Sequence, residues 1–126
     1  MIHAAEGIFM CHCIPITYAR WFSPERVKES GDLKKIEEGM STNVVKDMDW
    51  LESELKNSTG RFLVGDKVTA ADTMMLFSIQ FIFARDLING HKLQEWEAIE
   101  QWIRNCEETE SWKKACDYTG HDITKP

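Results

Sequence analysis

The chain has 126 residues, 43% of them apolar, enough to build one domain around a real core and too many for a disordered segment. Its net charge of −6, with the basic residues dispersed, argues against a nucleic-acid or anionic-membrane partner. No apolar run is long enough to span a bilayer or is preceded by the basic flank of a secretion signal, so a cytoplasmic location is expected, with Cys11, Cys13, Cys106 and Cys116 reduced.

Residues 1 to about 22 form the first predicted helix. Laid out at roughly 100° per residue, it has almost no polar face. Ala5, Ile8, Phe9, His12 and Ile16 make one stripe, Ile2, Glu6, Met10, Cys13 and Thr17 the next, and Ala4, Cys11, Ile14, Tyr18 and Phe22 complete the circle. A helix of this kind is expected to be buried on every side. Pro15 has no amide and crowds the carbonyl four residues back, which predicts a kink with the Cys11 carbonyl released. Ser23-Pro24-Glu25 reads as a new start, with Ser23 as cap and Pro24 at the first helical position. Beyond Gly31, the apolar positions Leu33, Ile36, Met40, Val44, Met48, Leu51 and Leu55 recur every three or four residues and predict one long amphipathic helix. Its Lys34, Lys35, Glu38, Lys46, Asp49 and Glu52 face is expected to be solvated, and Asn57-Ser58-Thr59-Gly60 ends it.

A tight turn in Phe62–Asp72 leads into the next helix, where Thr69 and Asp72 make a capping box. The Thr69 hydroxyl can accept the Asp72 amide while the Asp72 carboxylate accepts the Thr69 amide, a cap worth about 1 kcal/mol. From Thr69 to about Leu87 the helix is apolar over most of its circumference, through Met74, Met75, Leu76, Ile79, Phe81, Ile82 and Phe83, and is predicted to be the central buried helix. Arg85-Asp86 reads as a local charge pair, and Asn89-Gly90 as the terminator. A fourth helix carries Trp96, Ile99, Trp102, Ile103 and Cys106, and a short last one Trp112, Ala115 and Cys116. The five tryptophans, Trp21 and Trp50 included, fall on apolar faces and are expected in the core. Nothing alternates like a strand, so the predicted fold is an all-α helical bundle, one domain over residues 1–126.

The first helix is where chemistry is expected. His12 lies in an apolar stripe, and Glu6 lies less than two turns earlier on the adjoining one. A histidine and a carboxylate in one apolar cavity can divide general acid and base roles, because desolvation raises a carboxyl pKa and lowers that of an imidazole. The plainer alternatives are a core histidine bonded to backbone and a Glu6 salt bridge to Arg20 or Arg85. Phe9, Met10, Cys13, Thr17 and Tyr18 are the expected substrate-binding residues, with Thr17 and Tyr18 able to orient a ligand oxygen. Cys13 is a poor nucleophile if buried, unless His12 activates it. Cys11-His12-Cys13, with His3, cannot converge on a tetrahedral metal, since consecutive helix positions point about 100° apart. No metal or cofactor is therefore expected, and no phosphate loop or serine–histidine signature occurs.

The segment Phe62-Leu63-Val64-Gly65-Asp66-Lys67-Val68-Thr69-Ala70-Ala71-Asp72, with a long amphipathic helix before it and Met74-Met75-Leu76-Phe77 after it, resembles the helical C-terminal domain of the glutathione transferases. The resemblance extends to His3-Ala4-Ala5-Glu6-Gly7-Ile8-Phe9-Met10, similar to the first C-domain helix of fungal members, and to Trp112-Lys113-Lys114-Ala115, and so covers essentially the whole chain. It implies that the first helix contributes to a dimer contact and to a pocket for a hydrophobic substrate. The thioredoxin-like domain that binds glutathione in that family has no counterpart in these residues, so ordinary transferase activity is not expected. Thr73 stands where many relatives have a bulky aliphatic, which weakens a staple with Val68. The titratable groups in the apolar first helix lead to the expected function, a glutathione-independent isomerase, cyclase or dehydratase acting on a hydrophobic metabolite as a homodimer through the first two helical segments. The fungal resemblance of Ala5-Glu6-Gly7 adds a role in secondary metabolism. The alternatives are a non-catalytic protein-interaction or ligand-binding module, and an inert piece of a full transferase.

Overall fold

In the computed structural model, which describes residues 1–122, the first helix, α1, covers residues 2–22 without interruption. It opens with an α-turn, Ile2–Ala4, widens into a π-helical segment, Ala5–Met10, and resumes α geometry over Cys11–Phe22. The helix continues through Pro15, so the departure from α geometry lies upstream of the expected kink, in the wider π turns. Nor is α1 buried on every side. Ala5, Phe9, Cys13, Ile16 and Thr17 face the core, whereas Ile8, Cys11, Ile14, Tyr18, Trp21 and Phe22 are exposed. Its main neighbours are the long helix and the central helix, which together cover one side only.

Helix α2, Glu25–Glu29, starts one residue later than the Ser-Pro signal implied: Pro24 is the cap, and its carbonyl receives the Val27 amide at 2.9 Å. The Ser23 amide instead closes α1 on the Ala19 carbonyl at 3.1 Å. Helix α3, Asp32–Asn57, follows the left-handed Gly31 and buries Val44, Met48 and Leu51 as its period requires. Its other face is not all solvated. Glu52 is buried, and Asp49 accepts the Trp96 indole N–H at 2.8 Å.

The loop to the central helix turns tightly, the Phe62 amide donating to the Gly65 carbonyl at 3.0 Å. A Cβ on Gly60 would lie 2.2 Å from that same carbonyl oxygen, so the close approach of backbone to backbone demands glycine there. Helix α4, Ala70–Ala84, is the central one and buries Met75, Leu76, Ile79 and Ile82. The predicted capping box is present, and Asp72 does more than cap. One carboxylate oxygen accepts the Thr69 amide and hydroxyl, each at 2.9 Å; the other accepts the Leu63 amide and the Trp102 indole, again at 2.9 Å.

Helix α4 stops before the expected Leu87 because Asp86 adopts a left-handed φ of 48°. The Leu87 amide reaches back to the Ile82 carbonyl at 3.0 Å and the Asp86 amide to that of Phe83 at 3.2 Å, a Schellman ending that buries Leu87. Arg20 of α1 completes it by donating to the carbonyls of Arg85 and Asp86. The expected Arg85–Asp86 pair does not form: Arg85 lies over the Phe81 ring, and the Asp86 carboxylate accepts the Gly90 amide at 2.8 Å.

After a 3₁₀ turn, Leu93–Glu95, helix α5, Glu97–Glu107, buries Ile99, Trp102, Ile103 and Cys106, and helix α6, Glu110–Thr119, is capped by the Thr109 hydroxyl. Trp96 and Trp102 are in the core as expected, whereas Trp21 is 66% exposed and Trp50 37%.

Candidate functional site

Asp47 sits on the apolar stripe of α3, three residues after Val44 and four before Leu51, and so points at α1 rather than at water. There it meets His12, Nδ1 to Oδ2 at 2.5 Å. The Asp47 side chain is 11% exposed and the imidazole 38%. His12 lies at a seam. Around it on the helix, Phe9 and Ile16 turn into the core, and Ile8 and Pro15 face outward. In the tautomer that carries its proton on Nδ1, the bond to Asp47 fixes the ring with the Nε2 lone pair directed away from the carboxylate.

Glu6 does not join this pair. It is on the exposed side of α1 and has no partner among the described residues, so the apolar cavity expected to hold Glu6 with His12 is not formed. Neither alternative partner reaches it: Arg20 bonds Glu37, Nε to Oε1 at 2.7 Å, and Arg85 covers Phe81.

The five expected substrate-binding residues divide between core and surface. Phe9 is wholly buried, its ring centroid 6.3 Å from that of Trp50. Cys13 is wholly buried too, and burial, followed by the Asp47 charge, pushes its thiol up to about 12, which rules out a thiolate nucleophile near neutral pH. The Thr17 hydroxyl turns back to the Cys13 carbonyl at 3.3 Å, and Met10 is partly exposed. Tyr18 is exposed and packs with Trp21 and Phe22, ring centroids 6.1 and 5.8 Å away. Thr17 and Trp21, with Arg20 and Arg85, border a cavity of about 270 Å³.

Asp47 is the residue that the sequence reading did not single out. The signal was an acid within an apolar stripe, a position that a long helix leaves charged only when a partner meets it. Among the described residues, no group of three or more His, Cys, Asp or Glu side chains is arranged to hold a metal ion, and no helix is long and apolar enough to cross a membrane.

The family described as glutathione S-transferase, C-terminal domain, matches residues 2–110. Comparison with curated proteins and with solved structures gives no match. With the match spanning α1 to the start of α6, and with every helix or strand among the described residues helical, the chain belongs to the glutathione S-transferase C-terminal domain family.

Proposed function

We propose that this domain holds a hydrophobic small molecule against the exposed side of α1 and moves a proton on it through His12, oriented by Asp47, in a glutathione-independent isomerisation, cyclisation or dehydration. The observation that carries this function is the His12–Asp47 hydrogen bond at the border of an apolar surface. Steps of this type need an apolar platform and one positioned base rather than a thiol cofactor. Asp47, not Glu6, is the carboxylate that meets His12, and it orients the ring instead of sharing the acid and base roles expected of Glu6; Tyr18 and Met10 remain the surface residues beside the ligand. Phe9, Cys13 and Thr17 support that face from beneath.

Native mass spectrometry of the purified chain tests this by reading co-purified small molecules and subunit number together. A retained apolar metabolite that wild type converts, and that His12→Ala and Asp47→Asn convert at least tenfold more slowly, supports the proposal. Conversion unchanged in both variants removes His12 from the chemistry. The exposed Tyr18–Trp21–Phe22 cluster favours a second function, an assembly module, because contiguous apolar surface marks interaction sites. An empty homodimer that dissociates on Trp21→Ser would establish it instead.

A further inference from the structure

A second concave site lies on another side of the molecule. Between the start of α4, the end of α5 and α6 is an open-sided cleft of about 220 Å³ whose walls include Val68, Thr73, Leu76, Cys106, Trp112 and Ala115. No lysine or arginine lines it. Its polar wall groups are already engaged. The Asp72 carboxylate accepts from Leu63, Thr69 and Trp102. The Thr73 hydroxyl donates to the Thr69 carbonyl at 3.3 Å. The Thr109 hydroxyl donates to the Cys106 carbonyl at 2.6 Å and accepts from the Trp112 amide and the Ser111 hydroxyl, both at 3.3 Å. Burial, then the charges of Asp72 and Glu107, pushes the Cys106 thiol up to about 12, so it adds no charge to that of the Asp72 carboxylate.

The opening has a local cause. Val68 precedes the cap of α4 and Thr73 occupies the fourth helical position, the two places that a hydrophobic staple joins. Thr73 is too short and too polar to close onto Val68, and both side chains remain exposed at the edge of the cleft.

We propose that this cleft binds a small uncharged aromatic molecule of one or two rings, independently of the His12–Asp47 region. An apolar cavity of about 150 Å³ accepts benzene, so the volume here leaves room for a second fused ring. A wall whose polar groups are all partnered, whose one charged residue is the Asp72 carboxylate already held by four donors, and which has no cation cannot compensate the desolvation of a carboxylate ligand.

The experiment is a titration of the full chain with 1-fluoronaphthalene followed by ¹⁹F NMR, with 1-naphthoate as the charged counterpart. The expected result is saturable binding to wild type and to Trp21→Ala, at least tenfold weaker binding of 1-naphthoate, and at least tenfold loss of 1-fluoronaphthalene binding in Thr73→Ile. Ala115→Trp, which fills the cleft from the exposed side of α6, gives the same loss should Thr73→Ile fail to fold. Absence of saturable binding to wild type, equal affinity for naphthoate, undiminished binding in a folded cleft-filling variant, or loss of binding in Trp21→Ala overturns the proposal.

Discussion

The carboxylate of Glu52 accepts the backbone amide of Ile99 at 2.9 Å and, through its other oxygen, that of Ala98 at 3.0 Å. A side chain of α3 therefore caps α5, whose own cap residue, Trp96, has no side-chain acceptor to offer. Burial by itself pushes the Glu52 carboxyl up, but the two amides together with Lys56 outweigh it, and the net shift is downward. A carboxyl lowered in the folded state stabilises the protein above its unfolded pKa of about 4.3. That stabilisation is lost as pH falls through the folded value. Glu52→Gln is expected to cost about 1–2 kcal/mol at neutral pH. Urea unfolding of both proteins at pH 7 and pH 3 checks this: the gap between them should narrow at pH 3, and a gap of constant size would show that the charge is not what α5 requires.

Asp72 is wholly buried and serves four donors from three parts of the chain, so its loss should exceed that of a helix cap. Thr69→Ala removes one cap residue and is expected to cost about 1 kcal/mol. Asp72→Ala also strands the Leu63 amide and the Trp102 indole and is expected to cost about 3 kcal/mol or more. Equal losses in chemical denaturation would confine Asp72 to the cap.

Thr73→Ile should raise stability by about 1 kcal/mol, because it adds apolar surface to a cleft that already has apolar walls and completes a staple with Val68. Scanning calorimetry reads this as a higher Tm. A lower Tm would mean that the cleft is too rigid to take the added methyl groups.

The cysteines should separate by reactivity. Cys11 is exposed, whereas Cys13 and Cys106 are buried with thiols pushed up to about 12. Iodoacetamide at neutral pH, followed by mass spectrometry, is expected to mark Cys11 in the native protein and to reach Cys13 and Cys106 only after unfolding. Prompt labelling of Cys13 would contradict the packing of α1 on α3.

The His12–Asp47 bond joins α1 to α3, yet its imidazole is partly exposed, and solvent screens the pair. A double-mutant cycle with His12→Ala and Asp47→Ala is expected to give a coupling of about 0.5–1 kcal/mol. Zero coupling in urea denaturation would leave the bond without a structural role.

Local rules written into neighbouring residues were legible in the chain itself. The Thr69–Asp72 cap and the period of α3 depend on side chains three or four positions apart, the apolar girth of α4 on its run of apolar residues, and the break at Gly31 on one residue free to take a positive φ; each is found where the pattern put it. What those rules could not reach was the destination of each polar group. Glu52 and Asp49 fall on the side of α3 that periodicity assigns to water, and only the arrival of α5 gives Glu52 two bare amides and Asp49 an indole N–H. Glu6 and His12 lie close in sequence on α1, but α3 packs against one edge of that helix alone, drawing His12 to Asp47 and leaving Glu6 outside. A helix apolar all round specifies that it prefers burial, not how many neighbours it obtains. The tertiary arrangement covers one side of α1 and leaves Tyr18, Trp21 and Phe22 exposed. Which face is buried depends on side chains brought together from distant parts of the chain, and local spacing carries no record of them.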